Sequence, residues 1–297
     1  MQGTYRIYQE GKLLAVRKNL ITTEGKKLIL RYLAGQAASI GDAIAVGVNP
    51  VTATASDYRL NFEVDRASVI MKSIEPVNQY LIMKATLPQQ AQYNIWELGT
   101  FSAFSNNLAG EFNGRILTTF DPITEIWTNT TTDTTDPRTS ADSLKITAGS
   151  NATVSSRTSA NLNLSGYSAN DIFTVAFNKT SANITNLVLA FENSTGGSFK
   201  LNQSIAALST GYNVMTFQKG AFTATGTIDW SAITQFGVDI VANATGGNLI
   251  VDGIRVEDTD TFNPNYTMVA RSVLGSAIAK TTSAPLDIEY ALDLNIT

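Results

Sequence analysis

Neither histidine nor cysteine occurs anywhere in this 297-residue chain, and that removes most familiar active-site chemistry before any fold is considered. Without an imidazole or a thiol there is no His-activated nucleophile, no thiolate, no disulfide framework and no Cys/His zinc set. Carboxylates remain for acid–base work. A glycosidase needs only two of them, roughly 5–9.5 Å apart, but with 25 acidic residues some pair meets that spacing in any fold. No repeat period is visible either. The expectation is a protein that is not an enzyme.

Binding chemistry is better represented. A planar aromatic face can stack on the C–H groups of a sugar ring, and the chain has three tryptophans, Trp96, Trp127 and Trp230. Trp96 and Trp230 stand among apolar neighbours and read as core residues. Trp127 and Tyr167 are flanked by polar residues and are the candidate carbohydrate-binding side chains. Asp133 and Asp136 lie in a Thr-rich loop at a spacing that could offer oxygen ligands to calcium, with solvated loop acids the preferred reading. Charge is sparse, 21 Lys+Arg against 25 Asp+Glu, and no segment clusters basic residues as a phosphate-binding face requires. Nucleic acid is therefore not an expected partner. No run of about 20 apolar residues suits a membrane helix, and the amino terminus lacks a basic start followed by an apolar stretch. A soluble chain with no export signal and no membrane insertion is expected.

The elements that must position these side chains are mostly strands. Tyr5 to Val16 reads as a β-hairpin turning at Glu10-Gly11. One short helix follows: Thr22 or Thr23 caps it, Glu24 suits its positive first turn, Leu28, Ile29, Tyr32 and Leu33 give an apolar face, and Gly35 ends it. From Ala43 the period becomes two, through Ile44, Val46 and Val48, then Leu60, Phe62 and Val64, then Tyr80 and Ile82. Near residue 121 the texture shifts to Thr, Asn and Ser, with strands about every ten residues: SLKITA, ATVSSRT, DIFTVAFNK, NLVLAFEN, SFKLNQ, YNVMTFQK, TQFGVDIVA and NLIVDGIRVED. That pattern predicts an antiparallel β-sandwich. The tail alternates again from Leu286 to Ile296 and needs a sheet to join. The fold expected is mainly β, in two domains. Residues 1–120 with 259–297 form a small β-sheet or sandwich domain carrying the helix, and residues 121–258 form an inserted jelly-roll sandwich. A strand pair 265–297 on the second domain is the alternative.

Two stretches resemble known families. Residues 19–102, through NLITTEGKKLILRYLAG, AIAVGV, the Glu63-to-Arg66 element and the Glu97-Leu98-Gly99-Thr100-Phe101 element, resemble the N-terminal domains of tailed-bacteriophage tail-fibre and minor tail proteins. Residues from about Ile123 to Asp258, through EIW, SLKIT, DIFTVAF, NLVLAFE, IDWSAITQFGVDI and LIVDGIRVED, resemble carbohydrate-binding-module jelly rolls. That second resemblance implies a calcium between acidic residues of the first and last strands, here Glu125 and Asp252. No other cofactor is implied.

Together these readings predict a structural component of a bacteriophage virion, in the tail, neck or baseplate. Its first domain would anchor to the particle and its sandwich would project for adhesion or subunit contacts. The partners expected are copies of itself, other virion proteins and a cell-surface glycan. A capsid-decorating protein and a free carbohydrate-binding protein are the alternatives. The Glu63–Arg66 element reads as an internal brace in preference to a bridge between subunits. The strand beginning at Leu286 offers an edge for assembly, with Asp287, Glu289 and Asp293 able to protect it.

Overall fold

The computed structural model describes residues 1–103, 114–120, 125–149, 153–257 and 266–294. In chain order its strands are β1 Gln2–Gln9, β2 Lys12–Lys18, β3 Leu20–Ile21, β4 Ala43–Gly47, β5 Glu63–Ile74, β6 Leu81–Leu87 and β7 Tyr93–Ala103, with helix α1 Thr23–Leu33 between β3 and β4. There follow β8 Gly114–Thr118, β9 Thr131–Asp133, β10 Ser143–Thr147, β11 Thr153–Leu162, β12 Ile172–Lys179, β13 Ile184–Glu192 and β14 Ser198–Ser204. The last are β15 Gly211–Gln218, β16 Thr223–Thr225, β17 Ile233–Ala242, β18 Asn248–Glu257, β19 Tyr266–Lys280 and β20 Leu286–Asp293. The chain is mainly β and divides into two compact units, Met1–Asn113 with Asp260–Thr297, and Gly114–Thr259. Strand β8, read from the sequence as part of the first domain, pairs with β18 and so belongs to the second.

In the first unit nine strands follow the order β2-β1-β20-β6-β5-β4-β7-β19-β3. The β1–β2 hairpin turns at Glu10 and Gly11, both with positive φ, the two-residue geometry that matches strand twist. Strand β20 lies between β1 and β6. The expectation of an edge at 286–296 is corrected by these two ladders: β20 is interior, and β2 is the sheet's outer strand on that side; Ile296 lies outside the described residues. Tyr5, Ile7, Met83, Leu286, Ile288 and Tyr290 share one core with Leu28 and Ile29 of the helix. Thr22 caps the helix by accepting the Gly25 amide at 2.9 Å and donates to the Met268 carbonyl. The apolar helix face is narrower than the sequence suggests. Leu28 and Ile29 are buried whereas Tyr32 and Leu33 are exposed, because the helix packs on β19 with its early turns.

Strand β4, expected to be half-buried, is buried on both faces. The second face is closed by the loop 48–62, whose Leu60 packs with Ala45, Phe101 and Met268. That loop is held by a buried charge cluster. Arg271 donates to Glu97 at 2.7 and 3.1 Å, to Asp57 at 2.6 Å and to the Val51 carbonyl at 3.1 Å. Glu97 also accepts from the amides of Asn61 and Phe62. The two short elements noted in the sequence meet here. Glu63 and Arg66 form a forked pair at 2.7 and 2.8 Å, Arg66 lies 4.0 Å over the Phe101 ring, and Thr100 shares a 2.7 Å hydrogen bond with Tyr5. These residues brace one unit from within.

The second unit is a two-sheet sandwich. One sheet runs β15-β12-β18-β10-β9, with β8 on β18, and the other runs β11-β17-β13-β14-β16. Alternating residues of both sheets, among them Phe173, Phe177, Leu189, Phe191, Val238, Ile240, Val251 and Ile254, fill the space between, as an aligned sandwich demands. All eight strands read from the sequence are present; β8, β9 and β16 are three to five residues long and lacked a signal. Two lysines close loops where a bare carbonyl cluster would be costly. Lys179 donates to the carbonyls of Ile205 at 2.6 Å and Leu208 at 3.2 Å, and Lys219 donates to those of Leu164 and Tyr167. Burial lowers the pKa of both.

Arg271→Ala leaves Glu97 buried and uncompensated, and is expected to cost about 3–5 kcal/mol in urea unfolding. For Asp57, burial opposes the charge, but hydrogen bonds from Thr54 and the Arg271 guanidinium outweigh it and hold the carboxyl below its ordinary value. A depressed folded-state pKa gives stability that is present above the unfolded value near 3.9 and is lost as pH falls through the folded one. The acid limb of a stability–pH curve should therefore be shallower in Asp57→Asn than in the parent; superimposable curves would show that Asp57 does not contribute.

Candidate functional site

The side of the five-stranded sheet that faces away from the core carries a charge cluster and, beside it, a polar groove. Core positions Leu187, Leu189 and Phe191 of β13 and Phe236, Val238 and Ile240 of β17 alternate with residues on the opposite face. Cross-strand pairing arranges these outward residues in rows. Arg157, Gly237, Ala190, Lys200 and Thr223 form one row. Ser159, Gln235, Glu192, Ser198 and Thr225 form the next, and Ser155, Asp239, Val188 and Asn202 the one beyond.

Arg157 ties three strands together. From β11 its guanidinium reaches Asp239 on β17 and Glu192 on β13, at 3.1 Å. It does so by lying flat across Gly237, where a Cβ would sit 2.5 Å from its Cδ, so a side chain there would displace the guanidinium. Burial opposes its charge, yet Asp239 and Glu192 more than compensate and raise the guanidinium pKa further. Lys200 stands 4.0 Å from Glu192 on the other side.

Beyond Glu192 the face opens into a groove of about 470 Å³, lined by Glu192, Asn193, Ser194, Lys200, Thr234 and Gln235 among others. One wall is the β13–β14 turn. The Asn193 side-chain oxygen accepts from the amides of Thr195 at 3.2 Å and Gly197 at 2.8 Å, while its amide donates to the Thr227 carbonyl at 2.9 Å. The wall is therefore fixed before any ligand arrives. The groove offers a carboxylate, the Gln235 amide, hydroxyls and an ammonium. Such a set can both donate to and accept from a ligand carrying several hydroxyl groups.

The residues singled out in the sequence lie elsewhere. Trp127 is half-buried against the sandwich core, 5.0 Å from the Phe120 ring and edge-on to Phe236 at 5.8 Å, and its indole N–H donates to Glu125 at 2.8 Å. Of the polar neighbours that suggested a surface platform, Glu125 is the indole's own acceptor, and Thr128 and Asn129 bond to the backbone of β11. Tyr167 is also half-buried against that core, and its carbonyl accepts from Lys219. Trp230 stacks on Phe199 at 4.1 Å and 4°, inside a cluster with Phe173, Phe191 and Phe222. Trp96 lies on β7, half-buried.

Asp252 and Glu125 have separate partners. A bulge places Asp252 between Val251 and Gly253, which pair with Phe177 and Ala176, and turns its carboxylate into the 136–143 loop. One oxygen accepts from the amides of Arg138 at 3.0 Å and Thr139 at 3.3 Å and from the Ser143 hydroxyl at 2.9 Å; the other accepts from the Tyr212 hydroxyl at 2.7 Å. The Arg138 guanidinium lies 3.7 Å over the Tyr212 ring and pairs with Asp136 at 2.9 Å. Burial pushes the Asp252 carboxyl up against the pull of these donors, and burial beside Asp252 raises the Tyr212 hydroxyl well above its ordinary value. Glu125 accepts from Thr118 at 2.6 Å as well as from Trp127. Asp133 accepts from the Thr135 amide at 2.9 Å. Calcium needs a shell of oxygen acceptors, whereas Asp252 is surrounded by N–H and O–H donors with a guanidinium close by. Among the described residues no group of three acidic side chains is placed to hold a metal. The arrangement does not fit a calcium shared by Glu125 and Asp252.

No protein-family model matches the chain, and no curated protein does. Solved structures do. A family 11 carbohydrate-binding module of the cellulosomal cellulase Lic26A-Cel5E of Clostridium thermocellum aligns at a TM-score of 0.36 and 13% identity, over 50% of this chain and 96% of that one. The same module in complex with a β-1,3-1,4-mixed-linked tetrasaccharide aligns at 0.33 and 11%, over 53% and 95%. The agarase AgWH50C aligns at 0.36 and 15%, over 49% of this chain and 24% of its own. Each of these alignments spans about half of this chain.

Asp252→Ala strips one acceptor from four donors and should cost about 3–5 kcal/mol, whereas Tyr212→Phe should cost about 1 kcal/mol. Thermal melts of the parent should coincide in calcium and in chelator; a calcium-dependent rise of several degrees would show that a metal shares this site.

Proposed function

We propose that the second unit binds neutral, hydroxyl-rich carbohydrate in the groove beside Glu192. The observation that carries this reading is the pre-formed groove itself, with Glu192, Gln235, Asn193 and Lys200 converging on one space. Arg157 and Lys200 balance Glu192 and Asp239, so the face carries no excess of either charge and suits an uncharged ligand. The resemblance of residues 123–258 to carbohydrate-binding jelly rolls points the same way. Binding without catalysis is part of the proposal. Glu192 and Asp239 share one guanidinium, an arrangement that braces a sheet and gives neither carboxylate the separate environment that paired acid–base work uses. No ring of the aromatic cluster stands on this face, so recognition rests on hydrogen bonds and affinity is modest.

For the whole chain, a place on a phage particle rests on the motifs of residues 19–102. Those motifs are also accounted for by the internal bracing of Glu63 with Arg66 and of Glu97 with Arg271. Free carbohydrate binding is therefore the reading with the stronger support, and a tail, neck, baseplate or capsid-surface location for the same binding unit is the second.

Affinity electrophoresis of the full chain through gels containing neutral polysaccharides should show retardation. Gln235→Ala and Lys200→Ala, both at partly or fully exposed positions, should weaken it about tenfold each while leaving the melting temperature unchanged. Trp127→Phe should not alter it. Retardation that survives both groove substitutions and disappears with Trp127→Phe would place the site elsewhere.

A further inference from the structure

Strand β2 is hydrogen-bonded to β1 on one side and stands at the end of the nine-strand order. Among the described residues no strand pairs with its other side; the Ser272 hydroxyl of β19 donates to the Lys18 carbonyl at 2.9 Å, and the outer backbone groups before Lys18 can accept another strand. Its side chains are unusual for such an edge: Leu13 is 47% exposed, Leu14 40% and Val16 44%. Pairing with Tyr8 and Arg6 puts Leu13 and Val16 on the side of the sheet away from its core, and the bulge between Ile7 and Tyr8 leaves Leu14 as the extra residue. The strand also carries Lys12, Arg17 and Lys18, none of which has a carboxylate partner among the described residues, while its neighbour Arg6 is already paired with Glu289 at 2.5 Å. The first unit thus ends in an apolar ribbon flanked by three uncompensated positive charges.

We propose that β2 is a docking edge for an extended segment of another protein, apolar in its middle and acidic at its flanks, added as a tenth strand. The three cations select an acidic occupant, and in the register centred on the middle of β2 they disfavour a second copy of the chain. If two copies of β2 paired antiparallel about Ala15, Lys12 would face Lys18 and Leu13 would face Arg17, setting like charges opposite each other and an apolar side chain against a cation. An acidic partner removes both conflicts. The lysines that keep the edge from joining its own kind are the groups that would recognise the partner.

The test uses the full-length chain and two synthetic peptides, one with an Ile/Val/Leu centre and Asp/Glu flanks, the other with the same centre and Lys flanks. Fluorescence anisotropy should detect the acidic peptide and not the basic one, with affinity falling as salt rises. The combined Lys12→Glu, Arg17→Glu and Lys18→Glu variant should lose at least about tenfold in affinity for the acidic peptide and gain affinity for the basic one. Hydrogen exchange on the parent should show new protection of residues 12–18 when the acidic peptide is bound, a readout that stands even if the variant folds poorly. Equal binding of both peptides, no binding of either, or protection elsewhere would overturn the proposal. So would concentration-dependent dimerisation protecting residues 12–18, which would make the occupant a second copy.

Discussion

The exposed face of the second unit depends on one cation lying across one glycine. Arg157 joins β11 to β17 and β13 through Asp239 and Glu192, and it can do so only because Gly237 has no side chain to lift it. With its charge spread over two carboxylates, the guanidinium both ties the three strands and fixes where Glu192 presents its remaining lone pairs. A partly buried pair of this kind contributes more to geometry than to net stability. The groove beyond Glu192 follows from that placement and from the self-bonded turn at Asn193.

The same device, a buried charge whose partners are all supplied by the chain, recurs wherever a loop must be held. Arg271 with Glu97 and Asp57 closes the 48–62 loop over β4. Asp252 gathers four donors and fixes the 136–143 loop. Lys179 and Lys219 each satisfy carbonyls that loops turn inward. In a chain without cysteine, and with a loop arrangement that suits no shared metal at Asp252, these internal ion and ammonium contacts do what disulfides or calcium do in other sandwiches. Only 15% of residues are charged, and several of the charges present are committed to these buried positions.

Much of the architecture was legible because alternation is a direct consequence of burying one face of a strand. The hairpin at Glu10-Gly11 and eight sandwich strands carried that signal, and the helix after Thr22 showed its caps and a helically spaced apolar face. Strands β8, β9 and β16 did not, being too short to show a period. Strand β4 misled as to burial, since the loop of residues 48–62 folds back over its second face and the alternation within the strand does not encode that. Site residues were harder to read. Aromatic type and polar flanks marked Trp127 and Tyr167, but both lie in connecting segments and pack their rings on the sandwich core, so polar neighbours are compatible with a packed ring. The groove residues Glu192, Lys200 and Gln235 had one visible trace, charged or amide side chains at outward positions beside strongly apolar strand cores. Arg157 and Gly237 become meaningful only when register brings them together. Asp252 was marked only by the resemblance to carbohydrate-binding jelly rolls, and its donors come from Arg138, Thr139 and Ser143, more than a hundred residues away, and from Tyr212 on β15.

The most direct measurement is an amide chemical-shift titration of the isotopically labelled full chain with neutral oligosaccharides. The account predicts perturbations concentrated in residues 192–200 and 233–237, with the Trp127 indole signal unmoved. Saturable shifts at Trp127 and Tyr167 with the groove silent would contradict it, as would the absence of any saturable shift across neutral oligosaccharides of different linkage.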